Sequence, residues 1–315
     1  MRRTIKHLYL YLREARDSLK IEKRNEFKKI RIEADIIRFS HSIEKGLCLK
    51  SPRPGFGKSH FKKLFALIQE YANLEGHGKF CIHLCLDAMR SYFEYHKKID
   101  FCDDDIRLLK EQYEELALRY AHDGECGGTQ IVQKEDFKFD LEHIENLFNT
   151  RHSIRDFSGE KISDDLIKKA IELAQRCPSA CNRQAFKVYR VDGRQYIRDI
   201  GNNLEGIGGF ANDADSFLLV VSKKAAYKAS EINQHIVSTS MFAGYLSLAL
   251  HAYGIAACPV QRPVHKNKEW GKYKKMHNIS EEEQLVMMFA IGGYKDKTTV
   301  PISNRFNIDE IYKNL

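Results

Sequence analysis

The sequence predicts an α+β protein in two parts: an all-helical N-terminal domain over residues 1–145, then a domain over 146–315 mixing helices with a β-sheet. Three observations predict it. Before about residue 122, apolar residues recur at the three- and four-residue spacing of amphipathic helices. After residue 150, helical stretches alternate with the β-rich runs Phe186 to Val191, Phe217 to Val221 and Leu285 to Ile291. Between these, Ile232 to Gln261 contains no Asp, Glu, Lys or Arg, which marks a central buried element.

Composition fits a globular chain, with 43% hydrophobic and 30% charged residues in 315. The net charge of +8 is concentrated before residue 65. A basic surface can attract nucleic acid, anionic membranes or phosphorylated ligands; a solvated outer face is the expectation here. The opening MRRTIKHLYLYLREARDSLK has no apolar core of a secretory signal, and eight cysteines in a core-rich chain predict reduced thiols and a cytoplasmic location. Cys81 with Cys85 and Cys177 with Cys181 are four apart and lack the partner spacing of a structural zinc site, so no metal is expected.

Taken in order, residues 3–38 predict one or two basic helices with apolar faces at Ile5, Leu8, Leu12, Ile30 and Ile37. The Gly57-Lys58-Ser59 sequence ends like a P-loop, but its first glycine would fall on Pro52, so nucleotide triphosphate binding is excluded. His41 to Ser59 reads as a link between helices, or as a loop reaching over a neighbouring site. Helices follow at Phe61–Tyr71, Ile82–His96 and Ile106–Tyr120, broken by Asp100 to Asp105. Gly124 to Thr129 is a loop, Ile131 to Phe139 a linker and Leu141 to Phe148 a short helix.

The densest chemistry lies between Arg151 and Val191. Arg151-His152-Ser153-Ile154-Arg155 packs two guanidiniums and a hydroxyl into five residues. A helix capped by Ser163 follows, then the polar turn Cys177 to Gln184. Forked arginines suit phosphate, and side-chain amides suit a heterocycle edge, so this pattern points to an anionic cofactor. Beyond it, Arg194 to Asn203 predicts a helix and Gly206 to Phe210 a loop. Met241 to Tyr253 predicts a helix ended by Gly254, and Gly254 to Gln261 a buried strand running into a turn. The glycines at 206, 208 and 209 lack the full dinucleotide-binding spacing.

R-H-S-x-R, a helix, then P-S-x-x-N-x-Q and a strand resembles the nitroreductase-like FMN-dependent oxidoreductases, from about residue 147 onward. The resemblance implies a mixed central sheet flanked by helices and a homodimer built through the 232–254 helix. It implies FMN as cofactor, with NADH or NADPH as co-substrate. Arg151, Ser153 and Arg155 match positions at the phosphate, ribityl chain and pyrimidine edge, with Arg155 near N1 and the C2 carbonyl, and His152 matches a position that contributes backbone or packing contacts. Pro178, Ser179, Ala180, Asn182 and Gln184 match the turn on the dimethylbenzene side. Pro259, Val260 and Gln261 match the turn whose main-chain amide, here that of Gln261, points at N5, and Arg305 matches a phosphate-binding arginine. Three departures stand out: Ser303 replaces a second tail cation, Gly206 to Ala211 lacks an Asn and Lys, and Ala185-Phe186 replaces Pro-Trp.

The expected function is ping-pong transfer of reducing equivalents from NAD(P)H through FMN to a small organic acceptor. Positioning over the flavin does the catalytic work, so no catalytic side chain is assigned. The helical half is expected to cover the site through His41 to Ser59. A reading from another class makes the chain a non-catalytic binding or regulatory protein, with its basic helices on nucleic acid or an acidic partner.

Overall fold

The computed structural model describes residues 2–74, 78–200, 207, 209–261 and 267–314. The first half is helical, as its periodicity dictates: α1 (Arg2–Lys23), α2 (Lys28–Leu47), α3 (Lys58–Ala72), α4 (Phe80–Lys98) and α5 (Asp104–Arg119). In α3, Phe61, Leu64, Ile68 and Tyr71 fall on one face and are fully buried. They pack against Ile36 and Ile43 of α2 and against Ile82, Met89 and Tyr92 of α4. The acidic break before α5 is a cap, since Asp103 accepts the Ile106 amide at 2.9 Å.

The loop from 48 to 57, with Lys58 at the start of α3, is held inside this helical unit. Tyr92 donates its hydroxyl to the Phe56 carbonyl at 2.8 Å, Tyr95 donates to Pro52 at 2.6 Å, and Lys58 pairs with Asp103. It therefore packs on α4 and α5 and is not the element that meets the second half, against the expectation of a cover. That role falls to α2, whose Ala34 packs with Ala185, Ala226 and Tyr227. Glu14 and Arg24 of the α1 region add ion pairs to Lys224 and Glu281.

After α6 (Leu141–Thr150) and α7 (Asp164–Ala174) come β1 (Phe186–Asp192), α8 (Gly193–Ile200), β2 (Ser216–Lys223) and α9 (Gln234–Ala252). Then follow β3 (Ala256–Val260), α10 (Asn267–Met276), β4 (Glu283–Gly292) and the single turn α11 (Ile308–Ile311). The strands order as β1-β2-β4-β3. All three described pairings are antiparallel, in place of the mixed sheet that the resemblance implies. Crossing α9 brings the chain to the far edge of the sheet, where β3 runs against β4.

Both faces of the sheet are covered, so β2 reads as a continuous apolar run, with Phe217 to Val221 all fully buried. Leu218 and Val220 face α7 and α9, while Phe217, Leu219 and Val221 face Tyr196 of α8 and Trp270 and Tyr273 of α10. Periodicity did not predict α10, because Trp270 and Tyr273 are isolated among lysines. The helix expected at Arg194 to Asn203 is α8, and residues 201–203 lie outside the described residues, as do Gly206 and Gly208 of the glycine loop. Among the described residues, no helix is long and apolar enough to cross a membrane.

Just before β4, beside the turn that follows β2, Glu282 is 1% exposed. One carboxylate oxygen accepts the Ala225 amide at 3.2 Å and the other has no partner. Burial pushes its pKa up to about 7. A carboxyl with a raised folded-state pKa favours the fold fully below its ordinary value and progressively less as pH rises through the folded-state one. Stability should therefore fall by up to about 3 kcal/mol as pH rises from the ordinary carboxylate range through 7. Glu282→Gln is expected to flatten that slope in urea titrations across pH, and an identical slope in the variant refutes the assignment.

Candidate functional site

Arg151 caps the C-terminus of α6, and the chain from there to Ser158 runs along the end of β3 and β4. Ile154 donates its amide to the Ala257 carbonyl and Ser158 to that of Gly293, each at 3.0 Å. This approach needs glycine. A Cβ on Gly292 would lie 2.8 Å from the Phe157 ring, and one on Gly293 2.3 Å from Ser158 Oγ. The strip is thereby fixed, with Ile154 and Phe157 buried and Arg155 turned to solvent.

Neither Arg151 nor Arg155 forms an ion pair with a carboxylate among the described residues; Arg155 donates only to the Ser153 carbonyl, at 3.3 Å. Both guanidiniums act on the Cys258 thiol of β3, lowering a pKa that burial raises. Below the strip, His251 at the end of α9 lies 2.8 Å from the Tyr294 hydroxyl and 2.9 Å from Thr150 Oγ1. Burial, with the charges of Arg151 and His152, lowers the His251 pKa and keeps the ring neutral. His152 and Ser153 are half-buried beside it. Pro259 and Val260 sit in β3, an edge strand, where a proline without an amide proton is tolerated. Gln261 follows, exposed, at the end of the strand.

The polar turn is built differently. Cys181, Asn182 and Gln184 all have positive φ, at 54°, 54° and 48°, a strained sequence of non-glycine residues that surrounding structure must hold. Arg183 holds it. Its side chain is 3% exposed, pairs with Glu231 through two hydrogen bonds of 2.9 and 2.6 Å, and donates to the Ala180 and Ala226 carbonyls. The guanidinium also lies over the Tyr227 ring at 4.1 Å. Ser179 Oγ accepts the Gln184 amide at 3.1 Å and Ser238 of α9 accepts that of Ala180 at 3.2 Å. Gln184 reaches back to Asn182, and Pro178 is exposed at the turn's start.

The arginine strip is thus brought against Ala257 and Cys258 of β3, but the turn is not. Ser238, at the turn, and His251, at the strip, are thirteen residues apart on α9, which is about 20 Å. Arg305 is separate again: residues 301–314 are exposed, and it donates only to the Ser303 carbonyl. Sequence reasoning missed Arg183, whose position inside a polar turn hid its burial. It also missed the role of His251, although a histidine in a charge-free apolar helix was a visible signal.

Two arginines unpaired by carboxylates, a hydroxyl and strand-end backbone suit a ligand carrying phosphate and a polar ring edge. The Nitroreductase family matches residues 149–205 and 198–294. An NADPH-dependent oxidoreductase of Staphylococcus aureus (strain MRSA252) is 28% identical over 94 residues, 30% of this chain and 36% of its own length. The chain thus spans about a third of that relative. Among solved structures, an FMN-dependent nitroreductase from Clostridium difficile is 15% identical, with a TM-score of 0.46 over 54% of this chain and 99% of its own. A nitroreductase-like protein from Streptococcus mutans is 18% identical, with a TM-score of 0.46 over 56% and 98%.

Glu231→Gln leaves the Arg183 guanidinium buried without its counter-charge, which is expected to destabilise the fold by about 3–5 kcal/mol. Arg183 holds the Glu231 carboxyl below its ordinary value. Its contribution is complete above the ordinary carboxylate range and is lost as pH falls through the lowered folded-state value. Acid unfolding that is no less steep in Glu231→Gln than in the native protein contradicts this.

Proposed function

We propose that residues 149–294, which match the Nitroreductase family, form an FMN-dependent oxidoreductase passing reducing equivalents from NAD(P)H to a small organic acceptor in ping-pong order. The observation that carries the reading is the pair Arg151 and Arg155, fixed beside β3 with no carboxylate partner among the described residues. Bound FMN would supply hydride exchange at N5. Arg151 and Ser153 would grip the phosphate and ribityl chain, His152 would add backbone or packing contacts, and Arg155 would place positive charge at the pyrimidine edge. The Gln261 main chain, at the end of β3, would face the ring.

The polar turn belongs to the same reading only if a second copy supplies it, because α9 separates it from the strip within one chain. A homodimer is supported by apolar surface that one copy leaves open. Val237, Met241 and Tyr245 form an exposed stripe on α9, and Phe137 and Phe139 before α6 and Phe148 within it are exposed too. Ile302, Phe306 and Ile311 line the exposed tail that carries Arg305. In this reading residues 1–145 form the helical domain and 146–315 the flavin-binding one. The eight free thiols accord with a cytoplasmic setting.

Purified protein is expected to be yellow and to bleach anaerobically with NADH or NADPH. Arg151→Ala and Arg155→Ala should each weaken FMN uptake about ten- to hundred-fold, the worth of one charge-assisted hydrogen bond. Mixing a chain altered at Arg155 with one altered at Asn182 should restore one intact site per dimer. Folded protein that takes up no FMN in excess, or a double arginine variant with unchanged uptake, rejects the assignment.

A further inference from the structure

We propose that His83, His122 and Cys126, in the helical half, form a binding site for a borderline-soft divalent transition metal, with zinc the best match. His83 lies near the start of α4, and His122 and Cys126 on the loop that follows α5. One ligand atom from each lies within 4.8 Å of the others. The atoms around one zinc sit about 3.5 Å apart, given bonds of about 2.0–2.3 Å. Small side-chain rotations, unstacking rings now 4.1 Å apart, close the difference. Two imidazoles and a thiol are a zinc-type donor set, leaving a fourth position for water or a carboxylate.

Two further observations point the same way. His83 Nε2 is buried and has no hydrogen-bond partner, an arrangement that costs stability unless something fills the lone pair or takes the proton. Asp87, one helical turn after His83 and almost fully buried, lies 3.3 Å from His122 Nε2 through Oδ2. A ring N–H donated to that carboxylate leaves Nδ1 of His122 as the ligand, the carboxylate–histidine–metal arrangement of natural sites.

The loop is also held in place before any metal arrives. Asp87 Oδ2 accepts the Cys126 and Gly127 amides at 2.6 and 3.2 Å, and Glu44 accepts that of Gly128 at 2.9 Å. A Cβ on Gly127 would lie 2.5 Å from the Leu84 carbonyl oxygen, so the backbone rests directly on α4. The site lies outside residues 149–294 and does not depend on the flavin reading.

The test is full-length protein stripped with a chelator and titrated with zinc chloride against a chromophoric competitor. One zinc per chain is expected, with affinity at least about tenfold lower in Cys126→Ser and about ten- to hundred-fold lower in Asp87→Asn. Cobalt chloride should give a sulfur-to-cobalt charge-transfer band in the native protein and none in Cys126→Ser. His83→Ala adds a third probe; if it misfolds, the near-isosteric serine at position 126 decides. No stoichiometric zinc uptake, or equal affinity in Cys126→Ser, overturns the site.

Discussion

The constraint on which the second half of the molecule depends is the burial of α9. This helix carries no acid and no lysine or arginine, and Phe242, Leu246 and Leu250 are sealed against the sheet and α7. A rod of 19 residues is about 28 Å long. It fixes what can be near what: Ser238 engages the polar turn at one end, and His251 underlies the arginine strip at the other. No side-chain rearrangement closes that gap. In the proposed flavin site, a second copy covering the apolar stripe on the outer side of α9 would bring its turn to the strip.

Electrostatics at the two ends follow opposite rules. At the turn, Arg183 is buried, and its charge is matched by Glu231 and by the Tyr227 ring, so the guanidinium is structural. At the strip, Arg151 and Arg155 lack a counter-charge among the described residues and remain available to a ligand. Arginines in one short sequence window thus do unrelated work, and burial with pairing is what distinguishes them.

The helical half reaches the second half through its backbone more than through its loops. Alanine at position 34 lets α2 approach Ala185 and Ala226 closely, next to the turn that Arg183 holds. The glycine and proline loop at 51–57, the most unusual N-terminal stretch in sequence, is occupied in bracing α4 and α5. Unusual composition marked a conformational requirement there: Gly55 and Gly57 both adopt positive φ.

Local patterning by itself determined the helices of the first half, the Ser163 cap, strands β1, β2 and β4, and the arginine strip, because each is written within a few residues at a fixed period. It also marked α9 as an element that belongs against a core or an interface, since thirty residues without a charge avoid water. Tertiary structure alone decided that all described strand pairs are antiparallel, that α10 exists, and that Arg183 lies inside. It alone brought His83 to His122 and Cys126, and it alone set the strip and the turn at opposite ends of one helix. These depend on contacts between residues tens of positions apart, and chain geometry, not local propensity, sets such distances.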